Sequence, residues 1–589
     1  MIQNKINCNI AIAQLNPLSG NVEYNAKKIV EYIKKTESSS LDLIIFPELF
    51  LNGFPLEDTI VRHKAVVDNG YKSLEKIAKF TNKTAVLVGF LEPIKNRNNY
   101  FNSFAFLQNG KIQKIIRQKG LQLDSLFRDS KYIDIDSNIN NCFQINGINY
   151  LMTIGNNILE SDITTNNIDI LINCTSLTNR RYQRKNHINN LSNLAKNNDI
   201  HIIYVNQIGA VDNNIFEGAS VVLDNKGNIT YRSKIFEEDF LIVNPYSNEG
   251  IIQKEIKGID RKEFTLDYDK ELEYTYKAAI LGIKEYFAKT GFKRAVLGLS
   301  GGLDSTICSV LLADALGKEN VLGISMPSKI TTQESKSDAQ ILAQNLGINF
   351  VEKSIKEIVD TTNFIFNDLF SNVEKKWNCR YKQSFTQDNI QARSRAMYIW
   401  GVSNEFASCL PIATSDKSEI YMGYATINGD MSGGFAPIAD IPKTKLFALA
   451  RWMNANRENK DVIPESIINK RPGAELAINP KTGKPLIAED ALMPYEFLDE
   501  IIWNVENKHA GYNDLVNNKF IYEVQNNISY EQKLEWINKF YKRMSTALYK
   551  WSILPPATII EPYSINKHDY LQPITSTKIN YEGIDAELN

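Results

Sequence analysis

Along residues 1–245, short apolar runs alternate with stretches whose apolar positions recur every three or four residues. The runs Asn9–Gln14, Leu43–Phe46, Ala85–Phe90, Ser103–Gln108, Tyr150–Ile154, Ile168–Asn173, Ile202–Asn206 and Ala219–Leu223 predict strands. Asn21–Lys35, Gly70–Phe80 and Arg184–Asn197 predict amphipathic helices among them. Together they predict an α/β sandwich rather than one doubly wound sheet. The pattern fades at Pro245–Gly250 and turns charged from Lys254 to Glu271, which predicts a linker over roughly 245–270. Two domains are expected, 1–265 and 270–589.

Beyond the linker the rhythm changes. Tyr274–Thr290 has helical periodicity, and Ala295–Leu299 is a compact apolar run that breaks at Ser300-Gly301-Gly302 and restarts as a helix from Asp304. Val321–Ser325 and Phe350–Glu352 read as strands, with a helix Thr332–Leu346 between them, opened by a threonine cap with Glu334 near its start. Such alternation predicts a doubly wound parallel sheet with ligands beyond the strand C-terminal ends, where Ser300–Ser305 and Ser325–Ser328 fall. Leu515–Lys550 reads as amphipathic helix, packed on the sheet or on a partner subunit.

Charge narrows the function classes. The 67 lysines and arginines nearly balance 68 aspartates and glutamates, so no strong field invites nucleic acid or an acidic membrane. Six scattered cysteines show neither paired nor zinc-type spacing. No apolar stretch is long enough to span a bilayer, and no basic-then-apolar leader precedes the first strand. The expectation is a reduced, cytoplasmic protein.

The chemistry centres on Ser300–Ser305. A strand, a glycine turn and a helix N-terminus form a preformed anion site, and the glycines let the backbone approach a phosphate. No Gly-Lys-Ser/Thr ending follows, so this is not a Walker-type loop. Asp304 stands instead where a Mg²⁺ on pyrophosphate could be held. The plainer alternative is an ordinary glycine-rich turn. The Ser-Gly-Gly-Leu-Asp-Ser string resembles the loop of the N-type ATP pyrophosphatases.

Further strings, Gln387–Asn404, Ile412–Asn454, Ile468–Ala477 and Ala488–Ile501, resemble the synthetase domain of the NAD⁺ synthetase family. That resemblance implies an adenine-nucleotide α-hydrolase-like fold, with ATP and deamido-NAD⁺ as substrates, Mg²⁺ as cofactor and a homo-oligomeric assembly. Deamido-NAD⁺ would be adenylated on its nicotinate carboxylate, pyrophosphate would leave, and ammonia would displace AMP. It implies that Ser300, Gly301, Gly302, Asp304 and Ser305 hold pyrophosphate and metal, that Thr414 contacts ATP, and that Glu419 is a second magnesium carboxylate. Asn389, Arg393, Asp430, Lys443 and Lys542 match positions used for deamido-NAD⁺ or phosphates. Plainer readings stand beside these: Arg393 as a surface cation, Glu419 as a solvated helix face, Asp430 and Gly433-Gly434 as turn residues. Ser415-Asp416 replaces the family's Gly-Asn, and Gly473 replaces a hydroxyl expected near ATP.

In the first half, Ile44–Asp58, Ile170–Ser176 and Tyr204–Gly227 resemble the nitrilase, or carbon–nitrogen hydrolase, superfamily, and more closely the glutaminase domain of glutamine-dependent NAD⁺ synthetases. That chemistry uses a Glu–Lys–Cys set. Glu48 fits the general base, but Gln118 stands at the lysine position and Gly155 at the cysteine position. A one-residue slip would bring in Lys119, and Cys174 on the neighbouring strand could be a displaced nucleophile or simply a buried small hydrophobe.

Three functions follow. The first is an NAD⁺ synthase with a degenerate glutaminase site that uses free ammonia. The second is a glutamine-hydrolysing NAD⁺ synthase with a displaced nucleophile or a partner amidotransferase. The third is a non-catalytic nucleotide-binding scaffold.

Overall fold

The computed structural model describes residues 8–120, 131–156, 158, 163–164, 167–178, 183–247, 268–377, 385–473 and 487–565. Most of the expected linker, residues 474–477 and most of the tail beyond Pro556 lie outside them. The chain divides into two compact units, Met1–Thr265 and Leu266–Asn589.

In the first unit, strict alternation along each strand sorts side chains onto two faces. Ile10, Ile12, Leu43, Ile45 and Leu87 turn inward and meet Tyr150, Met152, Ile154, Ile172 and Cys174 in one core. Ala11, Ala13, Ile44, Val86 and Val88 turn outward under the helices Val22–Lys35 and Ala65–Ala78. The opposite sheet is covered in the same way by the helix Gln183–Asn198. The result is a sandwich of two sheets between helices, as the apolar pattern predicts.

The first sheet runs Asp239–Val243, Ile10–Gln14, Leu43–Ile45, Ala85–Pro93, Tyr100–Gln108, Lys111–Arg117, with Ile133–Asp134 added beside Tyr100–Gln108. The second runs Ile229–Arg232, Val221–Leu223, His201–Asn206, Ile170–Thr175, Ile148–Ile154, Cys142–Ile145. Sequence reading finds the edge strand that ends at Val243 but misses two other outer strands. Lys111–Arg117 and Ile229–Arg232 are largely half-buried or exposed and carry charge, so no apolar run marks them.

The second unit has a four-stranded parallel sheet in the order Asn349–Glu352, Val321–Ser325, Arg294–Gly298, Cys409–Pro411. Growth of the sheet reverses direction at Arg294–Gly298, and a crevice opens at the C-terminal end of such a strand. The Ser300–Gly302 turn leaves from that end into the helix Leu303–Leu316, whose residues Ser305–Leu312 are buried on every side.

The expected C-terminal helix is three helices, Tyr512–Asn517, Ile521–Asn526 and Tyr530–Trp551. A left-handed Asn527 ends the second, and Ser529 caps the third. These helices pack on Tyr495–Lys508 and Tyr421 in a cluster that holds no strand residue, so the sheet does not carry them. Among the described residues, no helix is long and apolar enough to cross a membrane.

Candidate active site

The phosphate loop is built by two close approaches. Gly301 adopts φ +76, and a Cβ there would lie 2.2 Å from the Ser335 carbonyl oxygen, so only glycine fits. Gly302 caps the helix Leu303–Leu316 without offering a side-chain acceptor, which leaves first-turn N–H groups for a ligand. The Ser300 and Ser305 hydroxyls lie 3.1 Å apart, and the Gly302 N–H donates to Ser300 Oγ at 3.2 Å. Ser300, Gly302 and Asp304 face a cavity of about 970 Å³.

Beside the loop sits a cluster of charge. One oxygen each of Asp304, Asp416 and Glu419 lies within 4.8 Å of the others. The Lys443 ammonium is 2.7 Å from Asp304, 2.6 Å from Asp416 and 3.1 Å from Glu419. Asp416 and Lys443 are fully buried, whereas Asp304 and Glu419 keep 24% and 17% of their side chains exposed. Those two therefore form the accessible edge. Burial raises the Asp304 carboxyl above its ordinary range, against the pull of Lys443, and raises Glu419 further. Burial would lower the Lys443 ammonium, but the three carboxylates overcome it and hold it well above the usual lysine range. Three carboxylates around one ammonium leave an excess of negative charge.

Asp416 also accepts the Glu419 N–H at 3.0 Å, as N-cap of the short helix Lys417–Tyr421. The residue read from sequence as a departure from the family string thus starts the helix that carries Glu419.

Thr414, Asn389 and Asp430 line the same cavity. Asn389 Oδ1 accepts from Thr426 Oγ1 at 2.9 Å, and Asp430 accepts the Thr426 N–H at 2.6 Å, which closes the turn before Gly433. Gly433 and Gly434 serve close packing, because a Cβ on either would lie 2.5 Å from Ala413 N or 2.4 Å from Leu410 Cδ1. Lys443, expected at deamido-NAD⁺ or a phosphate, lies buried among the three carboxyl groups of the cluster. Arg393 is exposed, and its Nε donates to the Ile427 carbonyl. Lys542 is exposed as well. The cavity's cations are Arg395, Arg543, Lys336, Lys470, Arg471 and Lys550. Arg395 follows Arg393 by two residues and Arg543 follows Lys542 by one; the strings are located by sequence, but the face of the helix is not.

In the first unit Glu48 is buried, and both its oxygens are occupied. Oε1 accepts from Asn102 Nδ2 at 2.6 Å and Oε2 from the Ser176 N–H at 2.6 Å. The same Asn102 amide donates to Gln118 Oε1 at 3.2 Å, so Gln118 is linked to Glu48 through Asn102. Gly155 ends the strand Ile148–Ile154 at φ +75, and its N–H donates to the Cys174 carbonyl at 2.9 Å. Cys174 is fully buried, its Sγ 3.9 Å from the Phe46 carbonyl oxygen, and burial pushes its thiol well above the ordinary value.

Comparison with known proteins joins the two sites. Residues 275–546 match the NAD synthase family and residues 9–244 the carbon-nitrogen hydrolase family. A glutamine-dependent NAD(+) synthetase from Thermotoga maritima is 33% identical over 528 residues, which cover 84% of this chain and 88% of that one. Its counterpart from Synechocystis is 31% identical over 539 residues, with 87% and 91% covered. The chain belongs to the glutamine-dependent NAD⁺ synthetase family. It is therefore a ligase, with its carbon–nitrogen hydrolase half first and its synthase half second. The solved glutamine-dependent NAD⁺ synthetase from Acinetobacter baumannii, a complex with adenosine diphosphate, has a TM-score of 0.70 at 25% identity, over 96% of this chain and 98% of that one. The family member from Cytophaga hutchinsonii shares the fold at a TM-score of 0.78 and 19% identity, over 97% and 98%.

Proposed function

We propose that this NAD⁺ synthetase adenylates the nicotinate carboxylate of deamido-NAD⁺ with ATP and completes the amide with free ammonia. An unactivated carboxylate is a poor acyl donor, and AMP supplies the leaving group. The backbone N–H groups at Gly302–Ser305 and the Ser300 and Ser305 hydroxyls hold the departing pyrophosphate. Thr414 contacts the nucleotide, and Arg395, Arg543 and Lys470 balance phosphate charge across the cavity. Asn389 and Asp430 orient deamido-NAD⁺.

An oxygen-only donor set with excess negative charge and one edge on the cavity fits a hard divalent cation such as Mg²⁺. Asp304 and Glu419 would hold it, with Asp416 behind them. When bound, the cation neutralises charge on the phosphates.

Free ammonia is supported by Gly155, which follows the Ile148–Ile154 strand and which the family resemblance aligns with the nucleophile. Glycine cannot form a thioester, and a neutral Gln118 cannot stabilise a developing oxyanion as a cation does. Cys174 does not rescue the reaction. Its thiol has no exposed surface, and burial raises it above the ordinary value, the opposite of what activates a nucleophile. The relatives' names favour the second reading, glutamine as donor. The test is NAD⁺ formation from deamido-NAD⁺, ATP and Mg²⁺, with ammonium or with ammonia-free glutamine as the only nitrogen source. Ammonium should support turnover and glutamine very little; equal rates would sink the reading.

A further inference from the structure

The Lys443 ammonium is held by more than the three carboxylates. The helix Lys443–Ala455 starts after Pro442, which offers no side-chain cap. Its first N–H groups are satisfied from elsewhere. The Lys443 N–H donates to Ser418 Oγ at 2.9 Å, and the Thr444 N–H and hydroxyl donate to Asp499 Oδ2 at 2.9 and 2.7 Å. The Ser418 hydroxyl in turn donates to Asp499 Oδ1 at 2.5 Å. One carboxylate thus ties the helix that carries Glu419 to the helix that begins with Lys443. One turn earlier on the same face of Tyr495–Lys508, the Tyr495 ring centroid lies 5.3 Å from Lys443 Nζ. A carboxylate at a helix N-terminus is favoured by the dipole as well as by its hydrogen bonds.

We propose that Asp499 is a positioning residue that holds the Lys443 ammonium inside the Asp304–Asp416–Glu419 cluster, so that a divalent cation binds there against a resident positive charge. The arrangement rests on the reading of that cluster as the metal site. Lys443 makes the buried carboxylates tolerable in the free enzyme, and it also moderates their affinity for metal. Loosening it removes a competitor. Truncating Asp499 should therefore tighten metal binding, the opposite of what general damage to the site would do.

The experiment is Mn²⁺ binding to the full-length, nucleotide-free protein, followed by water-proton relaxation, for native enzyme, Asp304→Asn, Asp499→Ala, Lys443→Met and the Lys443→Met/Asp499→Ala pair. Native protein should bind Mn²⁺ and Asp304→Asn should not. Asp499→Ala should bind about fivefold more tightly, the fold-change that matches one lost helix cap. Lys443→Met should bind more tightly still, and the double variant no better than Lys443→Met, because Asp499 acts through Lys443. If Asp499→Ala does not fold, Ser418→Ala breaks the same link from the other side without removing a charge, and it should shift affinity in the same direction. Mn²⁺ binding by native protein that is unchanged or weaker in these variants, or additive in the double variant, overturns the positioning role alone. Failure of the native protein to bind, or binding indifferent to Asp304→Asn, overturns the metal site and the positioning role with it.

Discussion

The first unit carries one buried carboxylate at its candidate site and the second a cluster of three, in opposite circumstances. Glu48 has both oxygens filled, by an asparagine amide and a backbone N–H. Asp304 and Glu419 share one ammonium with Asp416, and burial has pushed both above the ordinary carboxylate range. The first arrangement is at rest without a ligand. The second crowds three carboxyl groups around one ammonium, a crowding that a bound proton or a cation from outside relieves. Crowded buried charge marks a site poised for a ligand, whereas filled hydrogen bonds mark one that is stable without it.

This contrast can be broken in order of expected effect. Asp304→Asn should lower the rate of NAD⁺ formation by about 10²–10³-fold, the scale of losing one preorganised charge at a reacting phosphate. A steady-state assay with ammonium as nitrogen donor checks it. Glu48→Ala should leave that same rate unchanged and cost about 2 kcal/mol of stability, because the Asn102 amide and the Ser176 N–H lose a charged acceptor. Chemical denaturation alongside the ammonium assay separates the two outcomes.

A smaller effect belongs to pH. Burial pushes Glu506 from 4.5 up to about 7, against Lys417 at 2.7 Å, and Asp499 up to about 6. These folded-state values lie above the unfolded ones, so the folded chain retains these protons longer than the unfolded chain does. The stability they contribute is fully present in acid and is lost as pH rises through about 7. The melting temperature of the second unit should fall between about pH 4 and pH 7. Glu506→Gln should flatten that decline, and an identical slope in the variant would remove Glu506 from the account.

What sequence reveals differs between the units for a physical reason. The loop at Ser300–Ser305 is legible because its function lies in consecutive backbone groups, and the apolar runs on either side name the strand and the helix. The cluster is half legible. Asp304 and Glu419 belong to recognisable strings, but Asp416 looks like a mere replacement for asparagine. Lys443 reads as a contact for deamido-NAD⁺ or a phosphate, and its place against 304, 416 and 419 appears only on folding. Side chains two apart on a helix, such as Arg393 and Arg395, point to different faces, and only tertiary packing decides which one meets the cavity. The strand Lys111–Arg117 escapes because half of its positions face solvent. In the first unit, Glu48 and Gln118 stand in recognisable strings, but the hydrogen bonds that join Gln118 to Asn102 and fill Glu48 are not readable there.

The central claim is that the nitrogen enters as free ammonia. It is tested most directly by supplying amide-¹⁵N glutamine together with unlabelled ammonium, deamido-NAD⁺, ATP and Mg²⁺, and weighing the nicotinamide nitrogen of the product. The account predicts NAD⁺ whose amide carries no ¹⁵N. Label in that amide would contradict it and return the first unit to service as a glutaminase.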